Sequence, residues 1–93
     1  MTRIRDLLNL GPVMEERLAA VGVDTAEEMA RIGAVECWRR LRFAHGKQVT
    51  LIALYAMDAA IDGVDWRSLG EDRKAALREE AGASEGATLG AEA

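Results

Sequence analysis

Apolar positions recur along most of this chain at helical spacing, in short blocks separated by glycine-bearing turns. Over Pro12–Val21, Met14, Leu18 and Val21 fall at i, i+4 and i+7, one stripe of a helix. Gly11 and Pro12 open it, because proline at the first helical position forfeits only an N–H that would have had no partner. Gly22 closes it by reaching the left-handed conformation without a Cβ penalty, and Val23 then packs back on the last turn. Thr25-Ala26-Glu27-Glu28 reads as a capping box starting a helix over Ala26–Ile32, with Met29 and Ile32 inward. Ala34–Ala44 follows after Gly33, turning Val35, Trp38 and Leu41 inward and ending at His45–Gly46.

Ahead of these blocks, Thr2–Leu8 predicts a short opening helix capped by Thr2, with Ile4, Leu7 and Leu8 inward. Behind them, Thr50 caps Leu51–Ile61, whose sequence LIALYAMDAAI is apolar almost all round, the mark of a helix covered by its neighbours. The hydroxyl of Tyr55 must then reach the surface or a buried acceptor. Gly63 stops that helix and Trp66 plugs the base of the core. Ser68-Leu69-Gly70-Glu71 reads as a second capping box, opening a last helix to Ala81 with Leu69, Ala76 and Leu77 inward. Glu79 and Glu80 sit at the unfavourable end of its dipole, so its final turn should fray. The pattern predicts an all-α fold, a compact five- to six-helix bundle over 1–81. The segment 82–93, GASEGATLGAEA, is expected to be a disordered tail, lacking the apolar surface to offset ordering entropy.

Composition narrows the chemistry. The 93 residues are 49% hydrophobic and 30% charged, the balance of a globular helical domain. One cysteine and one histidine leave no disulfide, no thiolate zinc site and no evident metal set. Cys37 and His45 lie a little over two helical turns apart, too far for a nucleophile–base pair. Cys37 aligns with Leu41 and reads as a small buried hydrophobe. Asp58, Asp62 and Asp65 lack the spacing of a calcium loop and read as solvated surface. No cofactor is expected, and no activated nucleophile, acid–base pair or phosphate-cradling loop appears, so the reading is non-enzymatic. The N-terminus lacks a signal-peptide pattern and no apolar run is long enough to span a bilayer, so a cytoplasmic protein without membrane contact is expected.

The net charge of −4 argues against strong nonspecific attraction to nucleic acid. Residues 1–48 hold eight basic against seven acidic residues, while 49–93 hold four against nine. A local basic face on the first half remains open. Arg39, Arg40, Arg42 and Lys47 are its densest positive charge, but Glu36→Arg40 and Glu27→Arg31 are i,i+4 pairs that leave Arg42, Lys47 and part of Arg39 without an evident partner. Phe43 points away from Val35 and Trp38 and should be exposed, whereas Trp38, Tyr55 and Trp66 read as core.

The ordered series LNLGP, AVGV-x-T, EE-x-x-x-IGAVE-x-WRRL, LYA-x-x-A and W-x-x-L-x-E-x-RK-x-x-L resembles the C-terminal domain of the TfoX/Sxy family, over Arg5–Leu77. The resemblance implies a helix-hairpin-helix, SAM-like core and a place in bacterial transcription or natural-competence regulation. The N-terminal α/β domain of the two-domain regulators has no counterpart in these residues, so a stand-alone module is expected. The same hairpin is also similar, more distantly, to the C-terminal domain of the RNA polymerase alpha subunit, which contacts DNA and activators. Two partner classes follow. In the first, a protein docks on the side made by the second to fourth helices, including Phe43 and the Arg39–Arg42 face. In the second, duplex DNA binds weakly, its phosphates gripped by backbone N–H groups of Gly11, Val13 and Met14 and by Arg39, Arg42 and Lys47. Glu15 and Glu16 in the first turn oppose that second mode, each costing roughly 0.6 kcal/mol at about 7 Å from a phosphate in bulk water. Self-association is a third expectation, and no small-molecule substrate is implied.

Overall fold

The computed structural model describes residues 2–82, with the side chain of Lys47 outside the described set. Five α-helices follow one another: α1 (Pro12–Ala20), α2 (Ala26–Ile32), α3 (Ala34–His45), α4 (Leu51–Ile61) and α5 (Glu71–Ala81). Single 3-10 turns precede α1 (Ile4–Asp6), α4 (Gly46–Gln48) and α5 (Trp66–Ser68), and no strand occurs among the described residues. Of the tail expected over 82–93, Gly82 closes α5 and residues 83–93 lie outside the described residues.

Helix α4 is the axle. Its residues from Leu54 to Ala60 are all buried, enclosed by α2, α3, α5 and the 3-10 turn at Trp66. Its neighbours supply the rest of the core: Ile4, Leu18, Val23 and Met29, then Cys37, Trp38 and Leu41 from α3, and Leu77 and Ala81 from α5. The turn at Gly22 (φ 87°) brings Val23 back to donate its N–H to the Leu18 carbonyl at 2.9 Å. That is the left-handed helix ending that glycine permits.

Several local expectations need correction. The opening helix is one 3-10 turn, because its would-be first residue is bonded elsewhere. Thr2 donates its N–H to the Glu27 carboxylate at 3.0 Å and accepts from Ala26 N–H at 2.9 Å, so Arg3, not Thr2, precedes the turn. The arm before Gly11–Pro12 is therefore shorter than a helix-hairpin-helix plan expects. Leu8 faces solvent, 52% exposed, while Ile4 is fully buried. Thr25 Oγ1 does accept Glu28 N–H at 3.1 Å, but the Glu28 carboxylate turns to Arg31 instead of reaching back. Glu27 is already committed to Thr2, so the anticipated Glu27–Arg31 pair is replaced by Glu28–Arg31.

At the other end, α5 starts at Glu71 behind Gly70, and Ser68 donates its hydroxyl to the Asp65 carbonyl at 2.6 Å. The second capping box is thus absent. Asp65 caps the 3-10 turn by accepting Arg67 N–H at 2.8 Å. Leu77 faces inward as expected, but Ala76 is exposed, and Ala81 and the stem of Lys74 turn inward with Leu77. Helix α5 stays regular through Ala81, where Gly82 (φ 76°) closes it and buried Ala81 anchors it.

Asn9 holds the entry to α1. It is the one non-glycine described residue with positive φ (78°), a conformation that asparagine tolerates better than most. Its side chain spans two chain segments, donating Nδ2–H to the Val64 carbonyl at 2.8 Å and accepting Trp66 N–H on Oδ1 at 3.2 Å. Asn9→Ala keeps the backbone strain and strands two partners, so a loss of about 2 kcal/mol is expected. Asn9→Gly relieves the strain and should lose less; equal midpoints for both in urea would refute the clamp.

Candidate functional site

The residues singled out in the sequence fall on two surfaces. Gly11, Val13 and Met14 lie at the start of α1. Gly11 is the extended N-cap, with its carbonyl accepting Glu15 N–H at 3.0 Å. Val13 is 63% exposed, while Met14 is half-buried against the core. A groove of about 550 Å³ runs beside them, lined by Arg5, Pro12, Val13, Glu15, Glu16, Ala19 and Asp24. Arg5 Nε binds Glu15 Oε1 at 2.7 Å, and Arg3 lies 3.6 Å from the same oxygen. The Arg5 hydrogen bond holds the Glu15 carboxyl below the usual glutamate range. A depressed carboxyl contributes stability above its unfolded value and loses it only as pH falls through the folded one, so this pair persists at neutral pH. The α1 N-terminus therefore carries its own negative charge.

The second surface is the outer face of α3. Phe43 is 96% exposed. It borders a shallow depression shared with Val21, Glu36, Arg39, Arg40 and Ala44. Lys47 belongs to the 3-10 turn after α3, and its side chain is outside the described residues. No groove among those described is lined by both surfaces.

The arginines of α3 are more occupied than side-chain pairing alone suggests. Arg39 Nη2 donates to the Glu80 carbonyl at 2.7 Å, at the negative end of α5. Arg42 Nη1 donates to the Val49 carbonyl at 3.1 Å, and its guanidinium lies 5.2 Å over the Trp38 ring. Arg40 meets Glu36 at 3.2 Å, as the i,i+4 spacing predicts, and also donates to the Val21 carbonyl at 3.2 Å. Arg39 and Arg42 are thus not free, a correction to the sequence reading; each ties α3 to a neighbouring segment. A guanidinium carries five N–H donors, so each keeps positive charge and unused donors at the surface.

Asp58, read as solvated, is 7% exposed. Arg73 grips it with Nη2 to Oδ1 at 2.6 Å and Nε to Oδ2 at 2.9 Å, a two-point clasp between α4 and α5. The hydrogen bond to Asp58 pushes the Arg73 pKa up. Arg78 donates to the Tyr55 hydroxyl at 2.8 Å, which settles the fate of that hydroxyl. Tyr55 stacks on Trp66 at 6.5 Å, and Lys74 Nζ lies 5.6 Å from both ring centres. An acid inside the apolar run LIALYAMDAAI was itself the signal that a cation had to come to it.

Nucleophilic chemistry finds little support. Cys37 is fully buried, and burial pushes its thiol up to about 11, so it stays protonated at neutral pH. His45 ends α3 with Nε2 enclosed and without a partner among the described residues. No group of three side chains suited to holding a metal occurs among the described residues, and none of their helices is long and apolar enough to cross a membrane.

These elements define a small all-α domain built on an enclosed axle helix, with a solvent-facing aromatic set among arginines. Residues 1–81 match the family model for the TfoX C-terminal domain, and the chain belongs to that family. It is 32% identical over 75 residues to DNA transformation protein TfoX1 of Aliivibrio fischeri, a stretch covering 81% of this chain and 36% of that protein. The chain thus spans about a third of that relative's length. It also superposes on the crystal structure of an uncharacterized protein from Listeria monocytogenes, in a triclinic form, with a TM-score of 0.82 and 29% identity. That match covers 91% of this chain and 96% of the other. A tetragonal-form structure of a Listeria monocytogenes protein of unknown function gives a TM-score of 0.76 and 31% identity, over 81% and 91% of the two chains.

Proposed function

We propose that this domain is a non-enzymatic, cytoplasmic interaction module of competence-type transcriptional regulation, working by protein–protein contact through the α1–α3 side. The observation that carries this reading is Phe43, 96% exposed on a helix whose other large apolar residues are buried or half-buried. Desolvating an aromatic anchor flanked by arginines is the usual energetic centre of a protein interface. The relation to a DNA transformation protein supports the regulatory context.

Duplex DNA fits less well. Glu15 and Glu16 occupy the α1 turn that would face a phosphate, and Glu36 offsets part of the α3 positive charge. Affinity capture from bacterial lysate with and without nuclease separates the two readings. A partner retained after nuclease and lost with Phe43→Ser is the expected result. Partners that vanish on nuclease treatment, or recovery of bait alone from a chain that is also monomeric in solution, would overturn it. Fluorescence anisotropy with duplex DNA should show no shift at tens of micromolar protein, even in low salt.

A further inference from the structure

We propose that the occupant of the Phe43 surface is a second copy of this chain, whose α1 groove receives the Phe43 knob while its own knob enters the first copy's groove. This rests on the reading of the α1–α3 side as a protein-contact surface and names its partner.

The two surfaces match in character and oppose in charge. The knob is a projecting ring with Arg39 and Arg40 beside it, Glu36 offsetting one of the two charges, a net positive flank. The groove is lined by apolar Pro12, Val13 and Ala19 and by Glu15, Glu16 and Asp24 against a single cation, Arg5, a net acidic wall. Val13 is 63% exposed, an apolar site with nothing over it. Glu15 is taken by Arg5 and Arg3, but Glu16 has no ion pair among the described residues and is free to meet an incoming guanidinium. Knob and groove lie on neighbouring helices, joined where Arg40 Nη1 donates to the Val21 carbonyl at the end of α1. A two-fold axis beside this pair makes the contact twice and closes the assembly without leaving either surface open. Direct α3-on-α3 pairing is the poorer arrangement, because it would bring Arg39 and Arg40 of both copies together, and like-charge juxtaposition is costly at an interface.

The test uses the full chain. Sedimentation or light scattering from micromolar to near-millimolar protein should show the mass doubling with concentration, and added salt should return it to monomer. Phe43→Glu sets a carboxylate against the acidic wall, and Val13→Lys sets an ammonium against the arginines. Each should weaken association by at least about tenfold, while circular dichroism and the thermal midpoint confirm that both exposed-site variants fold. The deciding measurement is their equimolar mixture. A Phe43→Glu molecule keeps an intact groove and a Val13→Lys molecule an intact knob, so the mixture should recover dimers that neither variant forms alone. A mixture that stays monomeric, or an unmutated chain monomeric across the whole range, overturns the reciprocal dock. If the unmutated chain is monomeric yet a nuclease-resistant partner is still lost with Phe43→Ser, this proposal fails and the interaction-module reading stands.

Discussion

Arg73→Ala is expected to lower the stability of the domain by about 3 kcal/mol, because it leaves a buried carboxylate with no counter-charge. Asp58 is enclosed on α4, and both contacts of the clasp come from Arg73. The Arg73 side chain itself is 52% exposed. That asymmetry predicts unequal consequences. Removing the charge on the buried side with Asp58→Asn lets the guanidinium rehydrate, and should cost only about 1 kcal/mol. Urea unfolding followed by tryptophan fluorescence gives both values. If Asp58→Asn is the more damaging change, the clasp is not organised around the buried carboxylate.

Leu41→Ala should be at least as severe, about 3–4 kcal/mol, since a fully buried leucine leaves both lost transfer energy and a cavity. For a domain of this size that is a large share of its total stability. Two residues along the same helix, Phe43→Ala should change stability by no more than about 0.5 kcal/mol, because a 96% exposed ring gives up almost no burial. The two variants together test the orientation of α3. A strongly destabilised Phe43→Ala would mean that the ring packs within its own chain, and would remove the basis for both proposals above.

Much of the fold was legible because its punctuation is local. Pro12, Gly22, Thr25 and Gly33 set the limits of α1 and α2 through their own backbone preferences, and the all-round apolar run over Leu51–Ile61 marked the central helix. Phe43 was legible for the same reason: helical periodicity alone turns it away from Trp38 and Leu41. What stayed hidden depends on partners distant in sequence. The Asp58–Arg73 clasp joins two helices, and Asn9 reaches across to Val64 and Trp66. Pairing rules at i,i+4 spacing count only side chains, so they missed the carbonyls of Glu80, Val49 and Val21 that engage Arg39, Arg42 and Arg40. The opening helix failed because Thr2 binds α2, a competition that no local pattern registers.

The enclosure of α4 also divides labour within the molecule. With Leu54 through Ala60 sealed by surrounding segments, that middle stretch of the rod offers little for recognition, and substitutions there act chiefly through folding, while Ile52 and Ile61 near its ends stay exposed. Whatever distinguishes one relative's associates from another's is therefore expected on the outer helices and at the exposed ends of that rod. Specificity can drift across their solvent sides without disturbing the spindle they wrap.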